Sequence, residues 1–84
     1  MRLELLPGLL RVGYSRNPRN RFRDEGAGTM GAIGRCLSPA LRHWLDTHSV
    51  EHVLVMVRQE DLRSRFYIDI PNEDQAVLFR MRWL

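Results

Sequence analysis

The chain has no lysine. All 13 of its basic residues are arginine, so each cation it offers is a planar fork suited to carboxylates, phosphates and aromatic faces. It has one cysteine, Cys36, which excludes an internal disulfide and fits a reducing compartment. It has no glycine after Gly34. The conformationally permissive part of the chain is therefore its first part, and regular structure is expected after it. No apolar run approaches the roughly 18 residues of a membrane span. Residues 1–10 resemble a signal peptide only superficially, because Glu4 and Pro7 break the apolar run and no small-residue cleavage site follows. These absences lead to the expectation of a cytoplasmic protein without a membrane partner.

What is present is enough for one domain spanning residues 1–84, with 44% hydrophobic and 27% charged residues. A chain of this size buries roughly 60–68% of its unfolded surface, so one modest core is available. The net charge of +3 hides an asymmetry. Arg11, Arg16, Arg19, Arg21 and Arg23 follow one another with no acid between them, while the other 8 arginines are outnumbered by 10 acids. The chain reads as a basic arm on a slightly acidic body.

Along the sequence, Pro7-Gly8 divides residues 1–14 into two short apolar stretches, expected as strands around a turn. Residues 15–28 have no apolar period and carry Asn17-Pro18 and two glycines, so they read as a flexible basic loop. A weak helical stretch is expected at 29–37. Ser38-Pro39 is a helix start, and Leu41, Trp44 and Leu45 share one helical face, which predicts a helix at 39–47. Val53-Leu-Val-Met-Val57 reads as a buried strand, and Phe66, Ile68 and Ile70 alternate with Arg65, Tyr67 and Asp69. These two runs predict an antiparallel hairpin over 50–57 and 65–70. The C-terminus supports two patterns. Val77, Phe79, Met81 and Trp83 alternate as a strand does, whereas Asn72, followed by Gln75 and preceding Glu73-Asp74, signals a helix start. The capping signal favours a helix at 73–81.

The expected fold is thus α+β: a small antiparallel sheet packed against two short helices, with a basic glycine-containing N-terminal loop. The expected core is Leu41, Trp44, Leu45, Val53, Val55, Phe66, Ile68 and Val77.

Gly26-Ala-Gly-Thr-Met-Gly31 spells the dinucleotide fingerprint and resembles the start of hydroxyacyl-CoA dehydrogenases over that short string. Each glycine of such a loop has a mechanical task that needs a strand before it and a helix beginning at it. The lead-in, Arg21-Phe-Arg-Asp-Glu25, has one apolar residue, and Pro39 falls where the helix should still run. The string therefore reads as a hinge for the arm, and no cofactor is expected. His43, His48 and His52 lack thiolate partners at zinc-site spacing, so no metal is expected. Cys36 reads as a half-buried thiol, and Glu60-Asp61 and Glu73-Asp74 as solvated or capping pairs. No catalytic residue emerges, and the chain reads as non-enzymatic.

The candidate partner-binding residues are Arg11, Tyr14, Arg16, Arg19, Arg21, Phe22 and Arg23. Arginines interleaved with aromatic residues suit a protein interface and suit phosphates and bases equally. A host protein or nucleoprotein complex, a nucleic acid and a merely solvated loop all remain open. The closing stretch "FYIDIPNEDQAVLFRMRW", residues 66–83, resembles the C-termini of many small bacteriophage proteins. That resemblance implies a strand followed by an acidic cap and a helix. It also implies a phage-encoded protein in the host bacterial cytoplasm, of the kind that inhibits host machinery, as anti-CRISPR proteins, polymerase regulators and nuclease inhibitors do. It transfers no site residue. A homodimer burying Trp83 and Leu84 is a further expectation.

Overall fold

The computed structural model describes residues 1–13, 15–25, 35–58 and 64–84. Its best-defined local signals are the two helix starts. Ser38 caps α1 (Pro39–Thr47), its hydroxyl accepting from Leu41 N at 3.4 Å, with Pro39 in the first turn. Asn72 caps α2 (Glu73–Trp83), its side-chain oxygen accepting from Gln75 N at 3.0 Å. Glu73 and Asp74 occupy the first turn of α2, and Arg80 and Arg82 the last, so both ends complement the helix dipole.

α1 ends on Ser49 at φ 50°, a left-handed conformation. Val50 N bonds Leu45 O at 3.0 Å and Ser49 N bonds Asp46 O at 3.2 Å. This is a Schellman motif with serine where glycine is usual. Its apolar clasp is Leu45 with Val50, both buried. Ser49→Gly relieves the left-handed strain, partly offset by the entropy glycine gains in the unfolded chain. The expected result is a gain of about 0.5–1 kcal/mol, read as a higher urea midpoint at unchanged slope.

Among the described residues, six strands accompany the helices: β1 (Arg2–Glu4), β2 (Leu10–Val12), β3 (Phe22–Asp24), β4 (Arg35–Leu37), β5 (Val53–Arg58) and β6 (Ser64–Asp69). Four form a sheet in the order β1-β6-β5-β3, and β2 pairs with β4 in a second, two-stranded sheet. β5 and β6 are the antiparallel pair that the sequence predicts, with Leu54 opposite Ile68 and Val55 opposite Tyr67. Leu3, Leu54 and Ile68 stand in one row and join Leu41 and Leu45 of α1 and Ala76 and Phe79 of α2 in the core. The fold is α+β.

Several expectations are corrected. The larger sheet is mixed rather than antiparallel, because β3 runs parallel to β5, with Arg23 opposite Val55. Residues 15–28 were expected to be one loop, yet they include a 3-10 turn at Pro18–Asn20 and strand β3. β3 lies at the edge of the described sheet, where Phe22 packs against the core. A strand therefore does lead toward the glycine string. The string itself lies outside the described residues, and the next described elements are β4 and then α1. The helix expected at 29–37 is a strand over Arg35–Leu37, and its earlier residues lie outside the described ones. The two N-terminal strands do not pair with each other. The 3-10 turn at Pro7–Leu9 redirects the chain, sending β1 to β6 and β2 to β4.

Of the expected core, Leu41, Leu45, Val55 and Ile68 are buried, and Trp44 and Phe66 pack against the core half-buried. Val53 and Val77 are not core residues, being 42% and 47% exposed. Val53 alternates out of phase with Leu54, so it stands in the same row as Asp69 and Arg2 on the opposite face of the sheet. Val77 lies on the side of α2 turned away from Ala76 and Phe79.

Candidate functional site

The basic arm is built rather than loose between Ser15 and Glu25. Asn17 accepts from Arg19 N at 3.0 Å, and Asn20 N bonds Asn17 O at 2.9 Å, which together close the 3-10 turn. Arg21 reaches back along the arm. Its Nε donates to Ser15 O at 2.8 Å and its Nη2 to Arg16 O at 3.1 Å. Arg21 therefore staples the arm by satisfying two carbonyls. Arg19 is exposed yet anchored, with Nη2 3.3 Å from Val50 O. Arg16 and Arg23 are exposed, and their guanidinium groups make no hydrogen bond or ion pair among the described residues. Arg11 lies apart on β2, opposite Cys36 in the second sheet. Phe22 turns inward, its ring meeting Phe66 edge-on at 4.9 Å. Tyr14 and the string Gly26–Gly31 lie outside the described residues.

Two neighbouring clefts meet on this arm. One, of about 340 Å³, is bordered by Arg19, Arg21, Arg23 and Phe22 and by His52 and Val53 of the facing chain. The other, of about 820 Å³, is bordered by Asn17, Arg19, Asp46, Glu51, His52 and Val53. Arg19, His52 and Val53 belong to both. The combined surface has cations on one side, carboxylates on the other and a half-exposed valine between them. His52 has a fixed tautomer: its Nδ1 lies 2.9 Å from Val50 O, which can only accept, so Nδ1 carries the hydrogen. Its Nε2 is buried and has no hydrogen-bond partner among the described residues. Sequence reasoning did not select His52, Asp46, Glu51 or Val53 for this site. The signal available for Val53 was its phase in β5, opposite to that of buried Leu54.

A second charged group ties the sheet together. Arg2 donates to both carboxylate oxygens of Asp69, at 2.7 and 2.9 Å, and to both of Glu25, at 3.0 and 3.1 Å. One guanidinium thus joins β1, β6 and the residue that follows β3, with the Tyr67 ring 5.8 Å away. The hydrogen bonds from Arg2 hold the Asp69 carboxyl below its ordinary range, and the same contacts raise Arg2 well above its own. A carboxylate with a depressed folded pKa contributes stability above its unfolded pKa, about 3.9, and that contribution is lost as pH falls through the lower folded value. Thermal melts from pH 7 downward are expected to show an acid-side loss of stability that is shallower in Asp69→Asn than in the native chain.

The histidines serve separate structures. His48 Nδ1 lies 2.8 Å from Trp44 O and its ring stacks on Trp44 at 4.4 Å, while His43 meets Thr47. Cys36 is half-buried on β4. Among the described residues, no three His, Cys, Asp or Glu side chains are grouped as a metal site requires, and no helix is long and apolar enough to cross a membrane. Comparison with protein-family models, with curated proteins and with solved structures gives no match to this chain.

Proposed function

We propose that the chain is a non-enzymatic interaction module that docks a protein partner through the surface shared by the two clefts. The observation that carries this reading is the mixed charge around Arg19, His52 and Val53, with Arg23 on one side and Asp46 and Glu51 on the other. Complementary patches of both signs are how protein partners select one another and fix register. A phosphate backbone laid along the same surface would meet two carboxylates. Stacked bases would lack Phe22, which is engaged by Phe66. The resemblance of residues 66–83 to small phage proteins supports a setting: a phage-encoded modulator of a host protein or nucleoprotein complex, acting in the host cytoplasm as anti-CRISPR proteins and polymerase or nuclease inhibitors do.

The second reading, direct nucleic-acid binding, is favoured by the exposed guanidinium groups of Arg16 and Arg23, which make no bond among the described residues. A titration with single-stranded and duplex DNA separates the two readings. The protein-partner reading expects no binding at about 50 mM salt, whereas binding that weakens steeply with added salt would establish phosphate contacts and overturn it. Affinity capture from host cells, repeated with Arg19→Glu/Arg23→Glu as the control, then identifies the partner that depends on this surface.

A further inference from the structure

α2 is apolar on two sides. Its inner side, Ala76, Phe79 and Trp83, packs on the core and on Trp44, whose ring meets Phe79 at 6.0 Å and Trp83 at 6.3 Å. Trp83, expected at a dimer contact, is thus engaged inside its own chain. The outer side carries Val77, Leu78 and Met81, with Leu84 at the cap; they are 47%, 55%, 80% and 45% exposed. A surface helix of a lone domain places charged and polar residues there instead. Half of the large apolar side chains exposed among the described residues belong to this one stripe.

The charges beside the stripe state what covers it. Glu73 and Arg80 are seven residues apart on one flank, about 10.5 Å along the axis and too far for a pair within the helix. Asp74, between Met81 and Leu78 on the outer side, and Arg82, just beyond Leu78, likewise place opposite signs toward the two ends of the stripe. In an antiparallel pair of identical helices, each flank meets the same flank of its neighbour in reverse. Glu73 then falls beside Arg80 of the partner subunit, and Asp74 beside Arg82 of the partner subunit. A parallel pair would set like charges together.

We propose that α2 is a homodimer interface, two copies packing antiparallel about a twofold axis near Val77, with the Val77–Leu78–Met81 stripe as the seam and Glu73–Arg80 and Asp74–Arg82 as reciprocal pairs. Self-complementarity of one patch is what a twofold interface requires. An 11-residue helix is about 16 Å long, so the seam falls below roughly 1,200 Å² and the association is weak. A dissociation constant of about 10–100 μM is expected.

Sedimentation equilibrium of the native chain over a range of roughly 1–500 μM tests this, with tryptophan fluorescence confirming that each variant is folded. The proposal expects a monomer–dimer equilibrium that Met81→Glu weakens at least tenfold, since Met81 is 80% exposed and its replacement leaves the core intact. Arg80→Glu alone and Glu73→Arg alone should each weaken it, because each sets like charges across the axis. An equimolar mixture of those two variants should dimerise again, every pair being of opposite sign. A native chain that stays monomeric throughout the range overturns the proposal and assigns the stripe to a different occupant. A mixture no tighter than its separate components overturns it as well.

Discussion

Replacing Phe79 by alanine is expected to lower the unfolding free energy by about 3–5 kcal/mol. Phe79 is fully buried and belongs to the core shared by Leu41, Leu45, Ile68 and Ala76. Its ring stands edge-on to Trp44, so truncation removes transfer energy and an aromatic contact, and leaves a cavity between α2 and α1. A domain of this size has only about 5–15 kcal/mol to lose, and each kcal/mol moves the melting point by about 4–8 °C. The variant should melt at least 12 °C below the native chain. Trp44 and Trp83 report the transition by fluorescence. The matched control is Val77→Ala, measured at low protein concentration. Val77 is 47% exposed, and its truncation is expected to cost under about 1 kcal/mol. The pair also tests the secondary structure. In a strand, Val77, Phe79, Met81 and Trp83 would share one face, and truncating Val77 would cost much as Phe79 does. In the helix, Phe79 and Trp83 point in while Val77 and Met81 point out.

That contrast shows which parts of the fold were legible. The alternation of residues 77–83 was real as a pattern but empty as a signal, because α2 carries apolar residues on two sides and so matches both periods. The capping residues decided between them, since a cap is a local hydrogen bond readable from a few neighbouring residues. Ser38 and Asn72 were therefore informative. β5 and β6 were legible because their β-branched and alternating runs are long. β3 was not, because an edge strand of three residues leaves almost no period. The partners of β1 and β2 were not either, because both pair non-locally and nothing in residues 1–14 specifies β6 or β4. The arm's arginines were readable as charge but not as roles. The bonds from Arg21 to Ser15 and Arg16 mark it as a staple, apart from Arg16 and Arg23, whose guanidinium groups make no bond among the described residues. Asp46, Glu51 and His52 reach the same surface through the end of α1 and the approach to β5, a juxtaposition that exists only once the chain is folded.

Reversing Arg19 and Arg23 together to glutamate is expected to weaken partner binding by roughly 100- to 1,000-fold, since like-charge juxtaposition costs several kcal/mol. Both side chains are exposed, so the fold should survive, with Arg19 losing only its 3.3 Å bond to Val50 O. Arg21→Glu is a poor substitute, because its loss of binding would be confounded by loosening of the arm it staples. The sharper experiment changes the other side of the surface. Asp46→Arg/Glu51→Arg adds positive charge where the clefts are acidic, and Asp46 sits in the last turn of α1, where a cation suits the helix dipole. A protein partner matched to both signs should bind this variant more weakly, as it does the arginine reversal. A nucleic acid should bind it more tightly, with a steeper salt dependence, because each new cation adds a potential phosphate contact. The two variants are therefore expected to move affinity in the same direction for a protein partner and in opposite directions for a nucleic acid. Surface plasmon resonance across salt concentrations separates these outcomes, since steering between complementary charges lies mainly in the association rate.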